Sequence, residues 1–195
     1  MRAMMARSSW CAAILVLIIS GWVQAGPLAV YGGSTPFDNG GTLKGYVDWA
    51  VFSPGAFPYS GGYTPTPGEL VYTYQIFETG AAPLSSFELL LTDPADNIGN
   101  FTDLGGQAPQ SQVLSPLTSA KWTFSGIPQG GMSRGLVFSS PRLPYDLFAT
   151  VVDTGQSTWV IPLPSPSPVN VPEPATAGLV ALGCMMLGLR RRSSR

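Results

Sequence analysis

Gly131-Met132-Ser133-Arg134-Gly135 has the spacing of a nucleophile elbow, in which a serine sits on a sharp turn between a strand and a helix. Such a serine needs a general base to take its proton, ordinarily a histidine. The chain contains no histidine, and strand-like Leu136-Val137-Phe138 follows the motif instead of a helix. A glycine-rich turn between strands is the expectation here. Asp93, Asp96, Asn97, Asn100 and Asp103 bring five oxygen-bearing side chains into eleven residues. Calcium takes about six to eight oxygens from a flexible loop. The five form a weak calcium candidate, because their spacing is not that of an EF-hand; a plain polar loop is the other reading. Glu69, Glu78 and Glu88 lie on strand-like segments. Two carboxylates at a set separation are enough for a glycosidase, but outward charges on a half-exposed sheet are the commoner case. Asn100-Phe101-Thr102 is an N-glycosylation sequon. Cys11 and Cys184 lie in apolar terminal segments, so the body between has neither a disulfide nor a thiol nucleophile. None of these patterns calls for a cofactor or resident metal, and the body is read as non-enzymatic.

The elements that would position such groups are strands. The chain of 195 residues is 45% hydrophobic and 11% charged, with 23 glycines and 19 prolines. Few charges, frequent turn formers and many aromatics favour strands and turns over exposed helices. Alternation predicts strands over 44–52, 69–78, 85–92, 120–125, 136–139, 147–153 and 158–161, with 28–31 opening the set. Leu70, Tyr72, Tyr74 and Ile76 share one face of the clearest strand. About eight strands over 26–161 predict an all-β fold, an antiparallel β-sandwich of immunoglobulin-like or jelly-roll type. Most aromatics, Trp49, Trp122 and Trp159 among them, are expected in its core. Some could line a sugar-binding face, since rings stack on sugar C–H surfaces.

Charge is segregated along the chain. Between Gly26 and Pro174 there are four basic and eleven acidic side chains, a net of −7. Nucleic-acid binding is disfavoured, because phosphate contacts need lysine and arginine. Both ends are basic. Arg2 and Arg7 precede the apolar run 10–19, and Val23-Gln24-Ala25 offers modest residues before Gly26. This order predicts a secretory signal peptide over 1–25, cut by signal peptidase between Ala25 and Gly26; a retained membrane anchor is the alternative. Residues 162–170 alternate proline with serine and apolar residues and predict an extended polyproline linker. After it come Val171-Pro172-Glu173-Pro174, fifteen uncharged residues over 175–189, and Arg190, Arg191 and Arg192. As a helix, 175–189 would be about 22 Å long, able to span a bilayer with local thinning. The arginines would hold its end on the cytoplasmic side, leaving the acidic body outside.

This arrangement over 171–195 resembles the PEP-CTERM sorting signal of Gram-negative bacteria that make extracellular polysaccharide. The matching residues are Pro172, Glu173 and Pro174, the apolar span, and Arg190, Arg191 and Arg192. The resemblance implies recognition by exosortase, a membrane-embedded transpeptidase-like enzyme, with cleavage near the Pro-Glu-Pro. On that reading the six residues are recognition elements and catalyse nothing. The expected setting is the cell envelope or extracellular matrix, with the membrane and exopolysaccharide as surroundings. A carbohydrate-binding or adhesive module, and a carboxylate-dependent secreted hydrolase, are the other readings of the body.

Overall fold

The structure, a computed structural model, describes residues 29–115 and 118–170. The described residues form ten strands: β1 (Tyr31–Asp38), β2 (Lys44–Phe52), β3 (Leu70–Glu78), β4 (Leu84–Leu90), β5 (Asp96–Phe101), β6 (Ser111–Ser115), β7 (Ser119–Ile127), β8 (Gly135–Ser140), β9 (Arg142–Asp153) and β10 (Thr158–Asn170). They contain no helix. One sheet runs β1-β2-β3-β8-β5 and the other β10-β9-β4-β7-β6. All pairings are antiparallel. Between β4 and β9, β6 pairs with β7, β5 with β8, and β4 with both β7 and β9.

The alternation of β3 does what its sequence predicts. Leu70, Tyr72, Tyr74 and Ile76 enter a core that also takes Phe87, Leu89 and Trp122 from the other sheet. Its opposite face is also covered. Val71 packs with Phe52, Tyr63, Phe101 and Val137 in a second cluster, against Phe57 and Tyr59 of the 53–69 loop. β3 is thus buried on both faces, with Thr73 and Gln75 of the outer face satisfied by the Ala50 and Ser133 carbonyls. Polar bonds tie the two sheets together across the core. The Tyr72 hydroxyl donates to the Arg142 carbonyl at 2.6 Å, and the Tyr74 hydroxyl donates to the Pro164 carbonyl. Trp122, fully buried, donates its indole N–H to the Gly99 carbonyl at 2.9 Å.

The structure differs from the linker expectation for 162–170. Pro162 to Pro166 pair with β9, and Asn170 pairs with Arg142 after a register shift. Ile161, Leu163 and Ser165 are buried. A proline fits an extended edge strand where its missing N–H faces away from the ladder. Prolines at every second position direct all those gaps to one side, leaving residues 161, 163 and 165 to donate toward β9. The domain therefore runs past Ile161 to the end of β10. The structure also adds β5 and β6, and places the first strand over Tyr31–Asp38. Among the described residues no helix is long and apolar enough to cross a membrane.

Candidate functional site

Ser133 is fully buried, and its Oγ accepts the Ile76 backbone N–H at 2.9 Å. It sits on the short connection between β7 and β8, where Met132 bridges to Phe77 and Ser133 to Gln107. The sequence-predicted glycine-rich turn accounts for the motif, with its hydroxyl committed to the backbone.

The five oxygen-bearing residues of 93–103 are dispersed among separate partners. Asp93 pairs with Arg142 at 3.4 Å. The Asn97 amide donates to the Thr64 carbonyl and the Asn100 amide to Gln112 Oε1 at 3.3 Å. Asp103 accepts the Gly61 N–H at 2.7 Å. Asp96 is on the exposed end of β5, paired with Ser139. Among the described residues no three His, Cys, Asp or Glu side chains gather as a metal site.

The three glutamates do not converge either. Glu69 precedes β3 and Glu78 ends it, nine residues on. At about 3.3 Å per residue they stand about 30 Å apart, far beyond a glycosidase pair. Glu88 is on the other sheet and pairs with Lys121 at 3.2 Å. Glu78 is fully buried, with Oε1 accepting the Gly80 N–H at 2.7 Å and Oε2 lacking a partner. Burial pushes its carboxyl up, with Asp153 adding to the rise. Burial works against charge on Asp153 too, but the Ser157 N–H and the Thr42 hydroxyl outweigh it and hold that carboxyl low. Burial, and then Asp96, raise Glu69. Tyr63, bonded to the Ser139 hydroxyl at 2.8 Å, is pushed by burial up to about 12.

The concave features lie elsewhere. One, of about 410 Å3, opens where the β1 edge of one sheet meets β9 and β10 of the other. Tyr31, Trp49, Pro144, Tyr145, Asp146 and Pro164 line it. Tyr31 is 47% exposed and Tyr145 63%. The indole is fixed from two sides: Trp49 Nε1 donates to Thr35 Oγ1 at 3.2 Å, and Gly33, its ladder partner, leaves room for the ring. Asp146 has no ion pair or side-chain hydrogen bond among the described residues. A smaller groove of about 250 Å3 lies on the outer face of the first sheet, with Tyr59 stacked on Phe101 as one wall. Its floor is chemically spent, since Thr73 donates to the Ala50 carbonyl and Gln75 to the Ser133 carbonyl.

Sequence reasoning singled out none of the larger cleft's residues for a site. Its members come from four strands, and only a polar residue beside an unburied aromatic, Tyr145-Asp146, could have drawn attention. Pro172, Glu173, Pro174, Arg190, Arg191, Arg192, Ala25 and Gly26 lie outside the described residues. The chain matches no family model, no curated protein and no solved structure.

Proposed function

We propose that this is an exported surface or extracellular-matrix protein, sorted through a PEP-CTERM tail recognised by exosortase, with a non-enzymatic structural or interaction role. The body is a β-sandwich of immunoglobulin-like or jelly-roll type, a reading supported by its two antiparallel five-stranded sheets. The observation that carries the functional reading is the order of parts after the last strand. β10 ends at Asn170; the next residues are Val171-Pro172-Glu173-Pro174, followed by the uncharged run and Arg190, Arg191 and Arg192. The Pro-Glu-Pro then stands directly at the border of a folded domain, between the body and a membrane segment. Arg2, Arg7 and the apolar run before Ala25 and Gly26 support export through a signal peptide. The buried, backbone-bonded Ser133 and the separated glutamates support a role without catalysis.

The test is expression of the full chain in a host with an exosortase and in its deletion strain. Intact mass of surface and medium fractions locates the terminus. The expected result is loss of the segment after the Pro-Glu-Pro region only where the enzyme is present. An unprocessed, membrane-held chain in both strains would reduce the tail to a plain anchor. The cleft at the sheet junction favours a carbohydrate-binding role for the body as the second reading.

A further inference from the structure

We propose that the outer face of the β10-β9-β4-β7-β6 sheet is a homodimer interface, on which a second copy of this chain packs face to face about a two-fold axis. Three observations carry this.

The two outer faces of the sandwich differ in what covers them. The 53–69 loop lays Phe57, Tyr59 and Tyr63 over the first sheet and closes a second apolar cluster there. Among the described residues nothing comparable covers the second sheet. Leu90, Val113, Phe148 and Val160 stand on its outer face, 41%, 53%, 60% and 52% exposed. Their placement follows from the ladders. Phe87, Leu89, Ala120, Trp122, Ala149 and Ile161 enter the core, so residues 88, 90, 121, 148, 150 and 160 beside them point outward. Leu90, Phe148 and Val160 border one depression of about 330 Å3, with Thr118, Ser119 and Thr150 along it. Apolar side chains exposed singly are ordinary, but a set gathered on one face marks a contact surface.

Charge identifies the occupant. Val113, Lys121, Glu88, Thr150 and Val160 form one row across all five strands, each paired with the next. At its centre Lys121 Nζ lies 3.2 Å from Glu88 Oε2, and both side chains reach solvent. Asp146, the other charge on this face, stands beyond the end of β4. A partner that matches the centre must offer the same two charges in reverse. A second copy does so by symmetry. A two-fold axis along the strands, between β4 and β7, sets each Lys121 opposite the other copy's Glu88. It also carries each Phe148 over the other copy's β6, where Val113 is exposed. Two acids against one base make the face a poor seat for an anionic bilayer surface.

The area is sufficient. In that arrangement β9, β4, β7 and β6 overlap with their counterparts. Four strands about 4.8 Å apart, each about eight residues long at about 3.3 Å per residue, give about 500 Å2 on each copy. Two copies together reach the roughly 1,000 Å2 that a specific interface needs. A two-fold contact closes on itself, so it yields pairs and not chains. The inference rests on the domain's outer face and not on how the chain is sorted, so the exosortase experiment and this one fail separately.

The experiment is sedimentation equilibrium of the full chain in a density-matched amine-oxide detergent, at about 1 to 100 μM. The parent is expected to be dimeric at about 10 μM. Phe148→Asp should weaken association by about tenfold or more. Glu88→Lys and Lys121→Glu should each weaken it too, since each sets like charges face to face. An equimolar mixture of these two variants should regain the dimer, because every opposed pair is then of opposite sign. Tyr145→Ala, exposed on the other side of β9, should change nothing. All these side chains reach solvent, and unchanged far-ultraviolet dichroism will show that the variants fold. A monomeric parent overturns the proposal. If that monomer floats with phosphatidylcholine vesicles, the face serves lipid; if it does not, the chain's own 171–195 segment is left to cover it. A dimer that survives Phe148→Asp or both charge reversals also overturns it and assigns association to another surface, as does a mixture that stays monomeric.

Discussion

Gly33 faces Trp49 across the β1–β2 ladder, and a Cβ at Gly33 would stand 2.7 Å from the indole Cζ2. The glycine is there for space. Its backbone φ is not in the left-handed region, so conformational freedom does not explain it. Gly33→Ala should push the ring off its place and break its bond to Thr35. The expected cost is about 1–2 kcal/mol, read as a lowered urea midpoint together with a changed tryptophan emission maximum. An unaltered emission spectrum would mean that the indole is not confined by this contact.

Tyr74→Phe isolates one inter-sheet bond. The ring remains against Phe87 and Phe138, but the Pro164 carbonyl loses its donor. A buried acceptor left bare costs about 1–3 kcal/mol. Equilibrium denaturation should show that loss with an unchanged slope. A variant as stable as the parent would show that the bond contributes nothing net.

Glu78 makes stability depend on pH in a known direction. Its folded pKa lies above the ordinary 4.5, so the native state holds the proton more tightly than the unfolded chain. The contribution is complete below the ordinary value and is lost as pH rises through the raised one. Asp153, held low, has the opposite sign and weakens the fold as pH falls. Glu78→Gln should therefore be more stable than the parent at about pH 8 and gain little at about pH 4. Thermal melts at both conditions check this, and an equal gain at the two would remove ionisation as the cause.

The end of the domain can be tested by shortening the chain. Ended after Ile161, it loses buried Leu163 and the Ser165 hydroxyl bond to the Leu90 carbonyl at 2.8 Å. With the β9 ladder this should cost about 4 kcal/mol or more. Ended after Asn170, the domain should keep its stability. Equal protease resistance of the two forms would restore the linker reading of 162–170.

The fold was most legible where burial was continuous. β2, β3 and β8 announce themselves through apolar alternation, and their observed bounds nearly coincide with that pattern. β5 reads Asp-Asn-Ile-Gly-Asn-Phe and gives no such signal. It is a sheet edge with a register shift, and Asn97 there has φ of 53°. β6 is another short edge, with exposed Val113 among serines and glutamine. Edges need only one partner, so their sequences are free to be polar. β10 was obscured for a different reason, since alternating prolines read as a spacer until a ladder is in place. The cleft was not legible at all. Tyr31, Trp49, Tyr145 and Pro164 become neighbours only after both sheets close, and no spacing in the chain encodes that.

The prolines of β10 also determine what many copies of this domain can do at high density. A free sheet edge is ordinarily a template on which another chain can add a strand. Along Pro162, Pro164 and Pro166 the outward side has no donors, and the Pro164 carbonyl is already taken by the Tyr74 hydroxyl, so a docking strand would find most of its bonds missing. One flank of the molecule thus acts as a chain terminator. Crowded copies cannot grow into a fibril through β10, and any ordered polymer of them must propagate from other surfaces.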